Sequence, residues 1–396
     1  MRIGFVYFQF WPNLGGTEIP MLEYARSLSK LGHEVTVYTA NALNFRPSNL
    51  PSREVKDGFR IIRFKFVPLP MKYSFASIGL LRALLSTDVQ VLQVFSILPS
   101  FFILGAILVA KVRRIPLILY PQFHPERFAY HSDRLVRMTG RIFDNIIAVH
   151  FIRLASHVIC LTKLEEQFYR SKGITKTTTI YEWVPRRIVP DNNAVQEFRS
   201  SRHLSKTEHI ILFVGRIDKR KGLDILVQAL PQVIQKVPNT KLVVVGRDNG
   251  HLEECVKLAR TFKCADKIAF LGPLSDHQLS LAYGATDVVV IPSRFEAFGR
   301  TLVEAWTFHK PVILTDRVAL SEIVTPDSGL VVRVGSVREL SDALLSLLSD
   351  QNLRERMGER GFEIIGETLQ ELPDAIGVTL DIYKDAIKSQ IQQRVS

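Results

Sequence analysis

Along this chain, short runs of consecutive apolar residues alternate with longer segments in which apolar residues return every three or four positions. The first kind reads as a strand buried on both faces, the second as a helix packed against it. Residues 2–8 form such a strand. Ile19, Leu22, Ala25 and Leu28 then mark one face of a helix that runs to Leu31 and stops at Gly32. Further strands are expected over 33–39, the alternating 59–66, 88–95, 116–120, 157–162 and 178–184. Helices are expected over 98–112, 132–155 and 164–171. The connections 41–57 and 67–77 have no period and read as irregular surface.

After residue 185 the pattern lapses. The segment to 206 holds Arg186-Arg187, Pro190 and Asp191-Asn192-Asn193 with little apolar periodicity, which reads as a linker. A second series then begins: strand 209–214, helix 223–235, strands 241–245, 267–271, 287–291, 311–315 and 330–334, and a short helix over 319–324. Helices over 338–348, 353–365 and 375–387 close the chain, the last two broken near Pro373. Two series of alternating strands and helices predict two doubly wound α/β domains facing each other. Their expected bounds are 1–187 with 374–396, a linker 188–206, and 207–373. At 396 residues the chain is too long for one ordinary core, which agrees.

Composition narrows the class. Charged residues at 23% and apolar residues at 46% describe an ordinary globular chain. The three cysteines, Cys160, Cys255 and Cys264, match no metal spacing and read as reduced core thiols in a cytosolic protein. Residues 1–8 already read as a strand, so no secretory signal is expected. The most apolar run, 94–110, is about 17 residues with Pro99 inside it, and reads as a strand end and a buried helix rather than a membrane span. The net charge of +12 is unevenly placed: residues 1–190 carry 25 Lys and Arg against 12 Asp and Glu, the rest 26 against 27. An anionic partner is therefore expected at the first domain only. No nucleic-acid module is recognisable, so nucleic acid is not expected. In 132–155, Arg134, Arg137, Arg141 and Arg153 interleave with apolar residues as in an interfacial helix, and an anionic membrane surface is the expected contact.

Candidate chemistry gathers at strand ends. After the first strand comes Gly15-Gly16, a turn that lets backbone approach a ligand, with no G-x-G-x-x-G and hence no dinucleotide signature. After 209–214 comes Gly215-Arg216-Ile217-Asp218-Lys219-Arg220-Lys221-Gly222. It places two cations, Arg216 and Lys221, where the following helix N-terminus disfavours gratuitous positive charge. Two cations there can neutralise a diphosphate carrying about two negative charges without a metal. After 287–291, Glu296 and Glu304 are eight residues apart, one in a loop and one in the first turn of a helix. Phe298-Gly299-Arg300-Thr301 between them offers amides and a helix tip to an anion.

These parts resemble the family-4 glycosyltransferases of the GT-B fold, whose hallmarks are E-x7-E after a Pro-Ser and G-R-x-x-x-x-K-G. The resemblance spans nearly the whole chain. It implies that the last helix crosses back onto the first domain, and that the enzyme retains configuration while moving a hexosyl group from a UDP- or GDP-sugar. A lipid-linked or glycan acceptor would lie at the inner face of a membrane, with peripheral association. By the same resemblance Arg216 and Lys221 hold the leaving diphosphate with the amides of Phe298–Thr301. Glu304 takes the ribose hydroxyls, Glu296 the donor sugar, and Gly15 and Gly16 lie beside the phosphates. The family's histidine falls at Gln122 by the shortest alignment, with His124 two residues later; His124 is taken as the candidate. No side-chain nucleophile, cofactor or metal is expected. The family's Asn-Gly turn is replaced by Glu182-Trp183, and Arg247 departs from the usual G-D/E-G. An epimerase of the same fold, a short phosphorylase-like enzyme and a non-catalytic membrane-surface module are the competing readings.

Overall fold

The computed structural model describes residues 1–13, 15–69, 74–98, 100–124, 128, 134–185, 187–369 and 371–395. Leu14, Pro99, Arg186, and the stretches 125–127 and 129–133 that the sequence reading placed in a loop and at a helix start, lie outside the described residues. The chain divides into two compact units, Met1–Trp183 with Gln370–Ser396, and Val184–Leu369.

The first unit carries an eight-stranded sheet. Across it the strands run Thr177–Thr179, His157–Cys160, Leu117–Tyr120, Val91–Phe95, Arg2–Val6, Glu34–Ala40, Phe59–Phe64 and Arg53–Lys56. All neighbours are parallel except the last pair. The apolar runs have the burial such a sheet demands: every residue of Val91–Phe95 and of Leu117–Tyr120 is buried. Strand Arg53–Lys56 falls in the connection expected to be irregular. Asp57-Gly58 was the overlooked signal: both residues have positive φ (49° and 88°), the backbone of a two-residue hairpin turn, and Lys56 pairs with Phe59 across it.

The helical segment after residue 133 is not one regular helix. Arg134–Ile142 is α-helical, Phe143–Ile147 is a π-helical turn, and Ala148–Ile152 is α-helical again. The wider turn buries Phe143 and Asp144 while leaving Ile146 and Ile147 exposed.

The C-terminal helix, Leu372–Val395, returns to the first unit. Ala375, Ile376, Thr379 and Tyr383 are buried, and the Tyr383 hydroxyl donates to Gln93 on Val91–Phe95. The two closing helices, Gln351–Thr368 and Leu372–Val395, part near Pro373 as expected; Pro373 occupies the second position of the last one, where its missing N–H costs nothing. Among the described residues no helix is long and apolar enough to cross a membrane. The three cysteines are free and buried.

The second unit carries a six-stranded, all-parallel sheet. The order is Ile268–Gly272, Thr240–Val245, His209–Val214, Val288–Ile291, Val312–Thr315 and Gly329–Val332. Counted within the unit, its first strand lies between the second and the fourth, so the winding direction reverses beside it. That reversal opens a crevice at the carboxyl ends of His209–Val214 and Val288–Ile291. The expected linker contains a helix, Asn192–Ser201. Its polar start is a cap rather than a linker: the Asp191 carboxylate accepts from the Ala194 amide (2.9 Å), and Val195 and Phe198 are buried. Arg199 donates to the carbonyls of Ala285 and Glu208 (2.9 and 2.7 Å), anchoring the helix to the unit.

Candidate functional site

In the second unit the two loops at the crevice are knitted together. One runs 215–222, the other 292–299. The Arg294 amide donates to the Arg220 carbonyl (2.7 Å), and its guanidinium donates to the Lys219 carbonyl. The same guanidinium grips both oxygens of Asp224 on helix Leu223–Lys236 (2.9 and 2.7 Å). Gly222, at φ 71°, lies against the Pro292 carbonyl. A Cβ there would come within 2.0 Å of that oxygen, so only glycine permits the approach. Asp218 accepts from the Lys221 amide (3.2 Å), capping a single 3₁₀ turn, Lys219–Lys221, which sets the direction of the Lys221 side chain.

Lys221 Nζ donates to Glu296 Oε1, which also accepts from the Ser293 hydroxyl (3.0 Å). Both side chains are largely buried, at 16% and 14% exposure. Burial pushes the Glu296 carboxyl up, but Lys221, Arg220 and the Ser293 hydroxyl outweigh it and hold the group below the ordinary carboxylate range. Its backbone is fixed too, since the Glu296 amide donates to the Arg317 carbonyl (2.9 Å) and its carbonyl accepts from Ala319 (3.0 Å). Arg216 is different. It is half-exposed, with Asp218 at 3.6 Å as its ion-pair partner.

Helix Arg300–Thr307 is capped by Gly299, whose φ of 119° turns the chain sharply and where an added Cβ would come within 2.7 Å of a Val318 methyl. Phe298 is buried, and its carbonyl accepts from Leu320 (3.1 Å). The Thr301 hydroxyl donates to the Val214 carbonyl (3.4 Å), joining the helix tip to the end of the neighbouring strand. No acidic side chain occupies the first turn, so the positive helix end is available to an anion. Glu304 is the fifth residue of this helix and stands in its second turn, not its first: the helix begins at Arg300, after the Gly299 bend. Arg216, Lys221, Glu296, Phe298, Gly299, Arg300, Thr301 and Glu304 are thus gathered on two adjoining loops and one helix.

Gly15, Gly16 and His124 belong to the first unit, at the carboxyl edge of its sheet. A Cβ on Gly15 would come within 2.8 Å of Glu18 Oε2, while nothing lies within 4 Å of one on Gly16. Glu18 is buried, and burial raises its carboxyl above the usual range despite the Gln9 amide that donates to it (3.2 Å). The Thr17 hydroxyl donates to Gln122 Oε1, tying the loop after the first strand to the loop after Leu117–Tyr120. His124 is buried at 4% exposure. The next turn of this edge is braced by Glu165, whose two oxygens accept from the Phe123 and Leu161 amides (2.9 and 2.7 Å).

Several residues around these carboxylates escaped the sequence reading. Arg187 and Tyr283 reach Glu304, and Ser293 reaches Glu296. Arg294 and Asp224 pin the two loops. Arg187 lies in the stretch read as a domain boundary and Tyr283 in a helix, Asp276–Gly284, whose capping box at Ser275 and Gln278 was its one legible sign.

Comparison with known proteins accounts for both units. Residues 15–181 match the family described as Glycosyl transferase 4-like domain, and residues 195–364 match Glycosyl transferases group 1. A D-inositol 3-phosphate glycosyltransferase from Corynebacterium aurimucosum is 26% identical over 95% of this chain and 92% of its own length. Sucrose-phosphate synthase from Thermosynechococcus elongatus superposes with a TM-score of 0.76 at 21% identity, covering 98% of this chain and 99% of its own. Anabaena HepE, solved with UDP and glucose, superposes with a TM-score of 0.72 at 17% identity over 99% and 100% of the two chains. These likenesses establish a shared fold.

Proposed function

Starting from a chain that belongs to the family-4 glycosyltransferases of the GT-B fold, we propose that this enzyme moves a hexosyl group from a UDP- or GDP-sugar to an acceptor with retention of configuration. One observation carries the donor assignment. At the winding reversal of the second unit, the loop that bears Arg216 and Lys221 and the loop that leads to the Gly299-initiated helix follow two strands that are neighbours in the sheet. A diphosphate bound there meets two cations and a helix tip, which together offset its charge. HepE was solved with UDP, a nucleotide of the class this reading requires.

In this reading the bond between the sugar's anomeric carbon and the phosphate oxygen breaks as the acceptor oxygen attacks from the same face. The departing phosphate oxygen takes the acceptor's proton. Arg216 and Lys221 stabilise the charge that grows on the diphosphate, the term that distinguishes transition state from ground state. Lys221 is shared with Glu296, so the same contact that meets the leaving group also keeps Glu296 ionised beside the developing positive charge on the sugar. Glu304 receives the ribose hydroxyls. Gly15, Gly16 and His124 keep the roles that the family resemblance implies, the glycines for the phosphates and His124 for the sugar. No step is assigned to a metal or cofactor.

The test is thermal unfolding of the purified protein with a panel of UDP- and GDP-sugars. One donor at about 100 times its Kd adds about 2.7 kcal/mol to the stability and raises the melting temperature. A panel in which no donor shifts the transition defeats the reading.

The acceptor is assigned to an anionic membrane surface, on chemistry carried by the first unit. Met138, Ile142, Ile146 and Ile147 are 56%, 48%, 55% and 43% exposed on the helical segment that also bears Arg134 and Arg141. Apolar side chains left in water beside arginines suit a headgroup layer. Co-sedimentation with vesicles containing phosphatidylglycerol is expected to be strong, and weak with phosphatidylcholine alone. An Ile142→Ser/Ile146→Ser variant that sediments as well as the parent removes this surface from consideration.

A further inference from the structure

Glu304 is gripped from outside its own helix. Its Oε1 accepts from Arg187 Nη2 (3.1 Å) and its Oε2 from the Tyr283 hydroxyl (2.8 Å). Arg187 is itself held, for its other terminal nitrogen donates to Asp276 (2.7 Å). Asp276 and Tyr283 stand on one helix, Asp276–Gly284, so that helix fixes both of Glu304's donors. The Tyr283 ring is fully buried and stacked on Phe308, with centroids 5.2 Å apart and planes at 16°. Glu304 is 10% exposed and Arg187 18%, so neither is a solvated surface group.

A carboxylate offers about four acceptor positions on its two oxygens. Arg187 and Tyr283 use one on each oxygen, leaving one on each, the arrangement a vicinal diol needs to donate twice. We propose that Arg187 and Tyr283 are positioning residues that preset the Glu304 carboxylate for the 2′- and 3′-hydroxyls of the donor's ribose. On this account they set the preference for ribonucleotide over 2′-deoxyribonucleotide donors. The proposal rests on the assignment of Glu304 to the ribose made above. Without these two donors the carboxylate turns freely about its last side-chain torsion, and each hydroxyl must order it on arrival. Burial and the neighbouring Glu304 raise the phenol of Tyr283 far above neutrality, so it remains a donor throughout the working pH range. Arg187 bridges two carboxylates with two nitrogens of one planar group, a geometry a lysine ammonium does not reproduce.

Calorimetric titration of UDP, GDP and their 2′-deoxy counterparts into the parent, R187A, R187K, Y283F and E304Q proteins tests this. For whichever nucleotide binds, the parent is expected to favour the ribo form, and E304Q to lose that preference. R187A is expected to weaken the ribonucleotide about 10-fold and its 2′-deoxy counterpart, which keeps the 3′-hydroxyl but lacks the 2′, clearly less, because only the full diol uses both oxygens that Arg187 and Tyr283 preset. R187K should stay near R187A, and Y283F, which removes one oxygen from a buried ring, should move in the same direction by less. Equal weakening of both nucleotides in R187A and Y283F would mean that these residues merely support the fold. Tighter ribonucleotide binding in R187A would mean that Arg187 competes with the ribose. Either result overturns the proposal. Absence of any ribo preference in the parent overturns instead the Glu304 assignment beneath it, so the two failures are told apart.

Discussion

Replacing Lys221 by alanine is expected to lower turnover by a factor on the order of 100 to 1,000, the usual consequence of removing one preorganised group that faces developing negative charge. Lys221 has two partners in this account, the leaving diphosphate and Glu296, and its loss is felt twice. Glu296 would remain buried with its nearest cation gone, so Lys221→Ala is also expected to melt earlier than the parent. The double variant Lys221→Ala/Glu296→Gln isolates the stability effect, because it removes the stranded charge along with both groups assigned to catalysis. Recovery of the melting temperature without recovery of turnover is the expected result. Arg216→Ala gives an independent reading. Its side chain is 54% exposed with only a 3.6 Å contact to Asp218, so stability should change by less than about 0.5 kcal/mol while turnover still falls. Steady-state rates that are alike for Arg216→Ala, Lys221→Ala and Gln122→Ala would sink the phosphate clamp.

The second large effect is on stability. Asp224→Ala is expected to cost about 3 kcal/mol, hence roughly 6–12 °C of melting temperature for a unit of this size, because it leaves the Arg294 guanidinium buried without its carboxylate. The pair is 9% and 16% exposed, and its two hydrogen bonds hold the 292–299 loop on helix Leu223–Lys236. pH gives the pair a signature. Burial pushes the Asp224 carboxyl up, but Arg294 and His251 more than offset it, so its folded pKa lies below the ordinary value. A carboxyl depressed on folding stabilises fully above its unfolded pKa and loses that contribution as pH falls through the folded value. The difference between parent and Asp224→Ala should therefore be largest near neutrality and shrink below about pH 4, where an unperturbed aspartate titrates. Urea unfolding at pH 7 and at pH 3.5 measures it, and a gap of unchanged size at both would place the stabilisation elsewhere than in the charge pair.

The sequence determined the parallel strands and the loops at their ends, because both are governed by local rules. A strand covered on two faces must be apolar along its length, and the runs ending at Val6, Tyr120, Val214 and Ile291 declare themselves. A chain that must turn sharply against another backbone needs glycine, as at Gly222 and Gly299, and those glycines flagged the site. Polarity that serves a cap or a hairpin looks, residue by residue, like polarity that serves a loop. That is why Asp191 read as linker and Asp57-Gly58 as irregular surface, although each has a partner that fixes it.

What tertiary structure alone decided was the pairing of charges. Glu304 with Arg187 is a contact across 117 residues, Lys221 with Glu296 across 75 and Arg294 with Asp224 across 70. No periodicity links such positions, because a carboxylate's partner is chosen by which strand ends the winding order brings side by side. The physical reason is range: hydrophobic patterning acts through neighbours along a helix or strand, whereas an ion pair with little exposure forms only after the sheet has set its order and excluded water from both groups.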